Sequence, residues 1–327
     1  MRDNSSCLQS PPHITPIFQF PIFETPPNNA VAFFLLGFLL ALVITNFKSL
    51  TKQFLGIFKL TMSILPSPTP PSSPSSSSSS PSTTRQSTIP AASLPKHIAV
   101  IMDGNRRFGR RTHSNATQGH YDGGQKLIDF AKWCIEEGIE ILTVYAFSTE
   151  NWNREKKEID VLMSIFVKYC NDLRVEAKKQ NIKINIFSTD FERLPSNVKA
   201  GVKRMVSETE SCTGFQMCIC LSYGSRGEIV NACKTIAKKV QRGEIKNLEN
   251  EIDEQLLNDS LLTSSLACDP EIIIRTSGEF RLSNFLLFQS AYSEFFFLKK
   301  EWPSITRSDL VDVINQFGSN RKRRFGK

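Results

Sequence analysis

The chain has only four histidines among its 327 residues, and no Cys-x-x-Cys pair among its eight cysteines. Zinc sites gather several sulfur and imidazole donors at short spacings, so neither a zinc module nor a CxxC redox site is encoded. The cysteines do not form a disulfide framework. Cys134, Cys170 and Cys233 fall in helix-like patterns, and Cys218 and Cys220 alternate in a strand-like run, so reduced, buried thiols are expected. Acid is scarce at one end: residues 1–95 hold two Asp/Glu against five Lys/Arg, leaving 30 acidic and 35 basic residues in the rest. That small excess does not mark a nucleic-acid binder. The end of a P-loop is also missing. Gly104–Arg111, GNRRFGRR, has the GxxxxG spacing but no following Lys-Ser/Thr, which argues against nucleotide hydrolysis.

What is present divides the chain. Residues 1–29 form a lead, and residues 30–47, AVAFFLLGFLLALVITNF, carry no charge and are just long enough to cross a bilayer. Lys48, Lys52 and Lys59 follow this run and only Arg2 precedes it, so a transmembrane helix here places the C-terminal body on the cytosolic side. Residues 48–95 read as an interfacial stretch followed by a Ser/Pro-rich, disordered tether with six consecutive serines at 75–80. A start at Met62 would instead give a Ser-rich, acid-free leader of plastid type.

Residues 96–327 have a globular pattern. Apolar runs at 98–102, 139–147, 182–187, 217–221 and 272–274 alternate with amphipathic stretches at 123–137, 156–179, 196–211 and 227–241. This rhythm predicts a single α/β domain with a mainly parallel central sheet flanked by helices. Ligands bind such sheets beyond the carboxyl ends of the strands, where Asp103, Ser148 and Arg275 fall.

Four clusters carry the chemistry. In HIAVIMDGNRRFGRR (97–111) the lone carboxylate Asp103 precedes Arg106, Arg107, Arg110 and Arg111, a composition suited to an anion held with a hard divalent cation. TQGHYDGG then places His120 in a glycine-flanked turn opening a helix. FSTENWNR (147–154) packs Ser148, Thr149, Glu150, Asn151 and Arg154 beside Phe147 and Trp152, which reads as a ligand loop. RTSGEFRLSN (275–284) spaces Arg275 and Arg281 around a glycine turn ahead of Ser283, a plausible clamp for a diphosphate. Glu294 is the one acid in the apolar run 285–297, where it needs a partner or a metal. The terminal RKRRFGK alone reads as a solvated basic tail.

Taken together, MDGNRR (102–107), QGH (118–120), AFSTENWNR (146–154), RTSGE-R-LSNFLL (275–287) and RRFG (323–326) resemble the cis-prenyltransferases, in a plant-like form. That family includes the undecaprenyl and dehydrodolichyl diphosphate synthases, and the resemblance covers residues 97–327. It implies condensation of isopentenyl diphosphate with an allylic diphosphate such as farnesyl diphosphate, with dolichol-type products and an endoplasmic reticulum location. By that likeness, Asp103 and Glu294 contact Mg2+. Gly104, Asn105, Arg106, Arg107, His120 and Arg154 hold the allylic diphosphate, and Phe108 lies beside its prenyl chain. Thr149, Glu150, Trp152 and Leu282 join the substrate contacts. Arg275, Arg281 and Ser283 hold the isopentenyl diphosphate, while Ser148 and Asn151 orient the reacting centre and assist proton removal. Arg324 and Gly326 match a C-terminal motif that reaches the site across a dimer interface, implying a homodimer or a heteromer with an accessory subunit. Where many members carry an arginine four residues before the motif histidine, this chain has Ala116, leaving Arg110 or Arg111 to replace that contact. A non-catalytic partner subunit of a heteromeric enzyme is the alternative reading, and no nucleic-acid partner is expected.

Overall fold

Five apolar runs and one edge segment become six strands joined entirely by parallel pairing: β1 His97–Ile101, β2 Ile141–Ser148, β3 Lys183–Phe187, β4 Gln216–Tyr223, β5 Ile272–Arg275 and β6 Glu294–Phe297. The computed structural model describes residues 94–320. The lead at 1–29, the membrane helix expected at 30–47, the tether up to residue 93, and Arg324 and Gly326 lie outside the described residues. Among the described residues no helix is long and apolar enough to cross a membrane.

The strand order is β3-β4-β2-β1-β5-β6. Successive strand side chains alternate between faces, so β1 sends Ile98 and Val100 into one core and Ala99 and Ile101 into the other. In β4, Met217, Ile219 and Leu221 join the first core, while Cys218 and Cys220 join the second as buried thiols.

Six longer helices accompany the sheet: α1 Asn105–His113, α2 Ala116–Glu136, α3 Lys156–Lys179, α4 Ser196–Thr209, α5 Ser225–Gln241 and α6 Arg307–Asn320. The first core takes Leu127 and Phe130 from α2, Met163 and Cys170 from α3, Val198 and Met205 from α4, and Leu310 and Phe317 from α6. The second face is covered differently. There the irregular segment 282–287 lays Phe285 on Tyr145, with ring centroids 4.6 Å apart, and Leu286 joins it. Glu228 of α5 anchors the surrounding loops, accepting from Tyr223 Oη at 2.5 Å, Gln289 Nε2 at 3.0 Å and the Leu262 amide at 3.0 Å.

Four elements differ from expectation. GNRRFGRRTH is too polar for its periodicity to announce a helix, yet α1 forms because Gly109 lets it press against α2. A Cβ on Gly109 would come within 2.6 Å of the Gly119 nitrogen. Helix α2 begins at Ala116, capped by Asn115, whose side chain accepts from the Thr117 amide at 2.9 Å. His120 therefore sits inside a helix, not in a turn at its opening, and its amide is not a free anion donor. Helix α6 and strand β6 complete the domain beyond the expected elements.

Candidate active site

Chain connections leave β1 toward β2 on one side and β5 toward β6 on the other, so a crevice opens between the carboxyl ends of β1 and β5. The register pairs Ile101 with Arg275 at that edge. Two residues on, Asp103 Oδ2 accepts from Arg275 Nη2 at 2.9 Å, and Oδ1 accepts from the Gly104 amide at 2.7 Å. Thr276 Oγ1 bonds both the Asp103 amide, at 2.9 Å, and its carbonyl, at 2.7 Å. The Trp302 amide donates to the same carbonyl at 2.9 Å. Gly104 turns the chain at φ +101°, and a Cβ there would meet Ser277 Oγ at 2.7 Å and Glu301 Cβ at 2.9 Å. The carboxylate is thus fixed on a rigid bend.

Around it lies a cleft of about 810 Å³ whose walls include seven arginines (106, 107, 110, 154, 226, 275 and 281) and two acids, Asp103 and Glu150. Most of these cations are paired. Arg106 meets Glu158 at 3.3 Å and Arg154 meets it at 3.0 Å, while Arg107 lies 3.6 Å from Asp103 and 3.3 Å from Glu279. Arg281 meets Glu279 at 2.6 Å. Arg275, 5% exposed at its side chain, also donates to Ser283 Oγ at 2.8 Å and to the Arg281 carbonyl. Ser148 and Asn151 bond reciprocally, each side chain accepting from the other's amide at 3.2 Å, which fixes both at the end of β2.

Three buried polar atoms in the cleft wall have no hydrogen-bond partner among the described residues: Asn105 Oδ1, His120 Nε2 and Arg275 Nε. Such orphans are rare away from ligand sites. Burial, reinforced by the positive charge of Arg154, pushes the His120 imidazole down to about 4 despite Glu158 nearby. At neutral pH this ring is an uncharged hydrogen-bonding group. His120, Met102, Asn105, Ala146 and Leu162 also line a second, apolar cavity of about 110 Å³ between α2, α3 and the sheet, whose lining includes Leu173, Met205 and Ile219, which the cleft does not share. A cationic cleft therefore opens onto a hydrocarbon-lined recess.

The cleft gathers Asp103, Gly104, Asn105, Arg106, Arg107, His120, Ser148, Glu150, Asn151, Arg154, Arg275, Arg281 and Ser283. Five expected residues stand elsewhere. Glu294 starts β6 opposite Ile272, at the amino end of the sheet. At ~3.3 Å per strand residue this puts it roughly 15 Å along the strands from Asp103, too far for one shared cation within a chain. Phe108 is taken up by His113, with ring centroids at 6.0 Å, and by the Arg111 guanidinium 5.6 Å away. Trp152 donates to Ser222 Oγ at 2.8 Å and packs on Phe147, so it anchors the loop and does not line the cleft. Thr149 turns to Glu150 at 3.2 Å, and Leu282 packs against the second core.

The sequence reading missed Arg226, Asn284 and Tyr145 in the wall, and Glu158 behind it. Only Glu158 carried a signal, its i, i+4 spacing from Arg154. Tyr145 read as part of an apolar strand, yet its Oη lies 3.1 Å from the Tyr223 carbonyl and 3.2 Å from that of Ser283.

The donor set fits a divalent cation that shares its ligands with substrate. Asp103 is one hard carboxylate facing arginines suited to phosphate oxygens, and the described residues contain no cluster of three or more His, Cys, Asp or Glu that would cage a metal alone.

Residues 101–326 match the Prenyltransf family profile, which describes undecaprenyl diphosphate synthase. The chain is 40% identical over 233 residues to an isoprenyl transferase of Bacillus anthracis, covering 71% of this chain and 88% of that protein. It is 42% identical over 236 residues to a tritrans,polycis-undecaprenyl-diphosphate synthase (geranylgeranyl-diphosphate specific) of Pyrococcus horikoshii, covering 72% and 88%. Lavandulyl diphosphate synthase of Lavandula x intermedia, solved with dimethylallyl diphosphate, aligns with a TM-score of 0.67 and 30% identity over 69% of this chain and 96% of that one. A probable undecaprenyl diphosphate synthase of Campylobacter jejuni aligns with a TM-score of 0.57 and 33% identity over 71% and 99%.

Proposed function

Since the chain belongs to this family of cis-acting isoprenyl transferases, we propose that it lengthens an allylic diphosphate, of farnesyl type, by condensation with isopentenyl diphosphate to give a polyprenyl product of the dehydrodolichyl kind. The observation that carries this reading is the cationic cleft opening onto an apolar recess at Leu162 and His120. A diphosphate head and a hydrocarbon tail need those two environments side by side.

In the reaction the allylic C1–O bond breaks and its electron pair leaves with diphosphate. The π electrons of the isopentenyl double bond form the new carbon–carbon bond at C1, and a proton is lost to restore a double bond. Arg106, Arg107, Arg110 and Arg154 stabilise the charge spreading over the departing diphosphate, with His120 as a neutral hydrogen-bonding partner. Arg275, Arg281 and Ser283 hold the second diphosphate so that its double bond faces C1. Ser148 and Asn151, locked to each other, orient the reacting centre where the proton departs. Asp103 would hold Mg2+ together with diphosphate oxygens, and the bound ion would neutralise charge on the leaving group.

The body is proposed to work from the endoplasmic reticulum membrane, anchored by residues 30–47 with its catalytic part cytosolic; a start at Met62 would send it to plastids instead. A homodimer is proposed, in which Arg324 and Gly326 of a second copy complete the site. The exposed aromatics Phe280, Tyr292 and Phe295 on and beside edge strand β6 support such a contact. A heteromer with an accessory subunit would use the same edge. The non-catalytic reading is not favoured, because Asp103 lines the cleft together with Ser148, Glu150, Asn151 and Arg154 of the post-β2 loop.

The test is incubation of the purified chain with labelled isopentenyl diphosphate, Mg2+ and allylic primers of increasing length, with products separated by chain length. Primer-dependent polyprenyl diphosphate supports the reading. No incorporation with any primer, with or without an added accessory subunit, overturns it.

A further inference from the structure

Two loops must hold the two substrates in register, and one side chain joins them. Ser148, Asn151 and Arg154 sit on the loop after β2, and Arg281 and Ser283 on the loop after β5. Asn284 Nδ2 donates to Glu150 Oε1 at 2.8 Å, a contact spanning 134 residues of sequence. Its Oδ1 accepts from the Arg226 amide at 2.8 Å, and its carbonyl accepts from the Ser225 amide at 2.8 Å. Asn284 thus ties the post-β2 loop, the start of α5 and the post-β5 loop at one point. The junction is tight: a Cβ on Gly224 would come within 2.6 Å of both Asn284 Nδ2 and Thr149 Oγ1.

The backbone shows why asparagine suits this place. Ser283 and Asn284 are left-handed, at φ +51° and +64°, and Leu286 at +42° follows. Asparagine tolerates that region better than most residues, whereas serine and leucine there must be held by their surroundings. The Asn284 bonds, together with Arg275 on Ser283 Oγ at 2.8 Å, hold them. Glu150 answers to the same contact. Burial works to raise its carboxyl, yet hydrogen bonds led by the one from Asn284 keep it below the ordinary carboxylate range.

Resting on the prenyl-transfer reading, we propose that Asn284 is a positioning residue that bridges the allylic and isopentenyl subsites through Glu150, setting the distance between the two reacting carbons. Glu150 then acts on the loop, not on substrate. Reacting atoms must approach to ~3–3.5 Å, and a shift of ~1 Å in a positioned group costs ~100-fold in rate. A bridge that joins both loops therefore governs kcat as well as both KM values.

The test exploits the direction of the bond. Asn284→Asp keeps an acceptor for the Arg226 amide but sets a second carboxylate against Glu150. Glu150→Gln alone keeps an acceptor for Asn284. Together they restore the bond with its direction reversed, Gln donating to Asp. N284D is expected to lower kcat at least 30-fold and raise KM for both diphosphates. E150Q supplies the second single-variant reference of the cycle, and the double variant is expected to regain at least tenfold over N284D. A double variant as slow as N284D, or an N284D enzyme that works like wild type, overturns the proposal.

Two readouts need no turnover, so they remain decisive if prenyl transfer is absent and the functional reading itself fails. Hydrogen exchange of residues 148–154 and 281–287 should rise in both loops in N284D and return in the double variant. Inorganic pyrophosphate binding, measured by calorimetry, should weaken at least fivefold and recover. Wild-type exchange in either loop of N284D, or unchanged pyrophosphate binding, overturns the bridge.

Discussion

Arg275 Nη2 lies 2.9 Å from Asp103 Oδ2, joining the last residue of β5 to the bend that follows β1. The guanidinium is almost fully buried, and the carboxylate still faces the cleft. This geometry separates two roles of Asp103. Its hydrogen-bonded shape holds Arg275, while its charge offers a hard ligand beside the arginines. Asp103→Asn removes the charge and keeps one of the two acceptor oxygens, so its oxygen can still accept from Arg275 while its NH2 replaces the acceptor of the Gly104 amide. It is expected to lower kcat at least 10²-fold, by ~3 kcal/mol in the barrier, with a smaller loss of melting temperature than full truncation of the side chain. Asp103→Ala leaves Arg275 without its acid and is expected to lose ~1–3 kcal/mol of stability as well. Turnover measured across a magnesium titration, beside thermal melts, checks both. Equal activity of D103N and wild type would remove the metal-ligand role.

At Ala116 the family resemblance leads one to expect a phosphate-binding arginine, and on the proposed reading the two candidates to replace it stand apart. Arg110 lines the cleft, whereas Arg111 is bound by Glu301 and does not. Arg110→Ala is expected to raise KM for the allylic diphosphate about tenfold, ~1.4 kcal/mol, with the isopentenyl KM within twofold. Arg111→Ala is expected to leave both constants within twofold and to cost at most ~1 kcal/mol of stability, as an exposed pair does. Steady-state kinetics with each substrate varied in turn distinguish them. A larger KM effect for Arg111 would reverse the assignment.

Strand rhythm carried the sheet because buried parallel strands require continuous apolar runs, and 98–102 or 272–274 have no other use. The rim followed directly, since Asp103, Ser148 and Arg275 sit one or two residues from those runs. Helix α1 was not legible, because its packing depends on Gly109 meeting Gly119, a tertiary fit with no hydrophobic period. The distance of Glu294 from Asp103 within the chain was not legible for the opposite reason. An acid in an apolar run signals some partner, but only strand register shows at which end of the sheet it falls. Trp152 reads as a ligand contact by composition and Phe108 by the family resemblance, and only packing shows the side chains that neighbour them. Asn284 stood in the 275–287 motif, but its contact with Glu150 was not legible, since that partner is distant in sequence.

On the proposed reading the growing chain enters the apolar recess and the recess limits its length. Leu162 lines both the cleft and the recess, whereas Leu173 lines the recess alone, eleven residues or ~16 Å further along the same helix at ~1.5 Å per residue. Leu173→Trp fills the recess and is expected to shift products to shorter chains, with the first condensation nearly as fast as in wild type. Leu173→Ala opens the recess, lengthening products while costing ~2–3 kcal/mol of stability. Chromatography of labelled products reads the shift. Identical length distributions in both variants would mean that the growing chain does not enter this recess.

His97 is buried, its Nδ1 2.9 Å from the Cys268 carbonyl and its Nε2 2.7 Å from Thr143 Oγ1. A carbonyl only accepts, so Nδ1 carries the proton and Nε2 accepts from the threonine hydroxyl. The neutral ring satisfies both contacts, and burial lowers its pKa to about 4 although the backbone carbonyls of Cys268 and Asp269 oppose the shift. Unfolded, the same imidazole takes up a proton near 6.5. Between pH 6.5 and 4 the unfolded chain therefore binds more protons than the folded one, and stability falls as pH falls. Above 6.5 neither state is charged and the effect vanishes. From pH 7 to 5 this residue should remove about 2 kcal/mol. His120, also lowered to about 4, acts in the same direction. His97→Gln removes only the first share, so its unfolding free energy, measured by urea titration at pH 7 and pH 5, should fall by about 2 kcal/mol less than that of wild type. An unchanged difference would show that His97 is not held neutral in the fold.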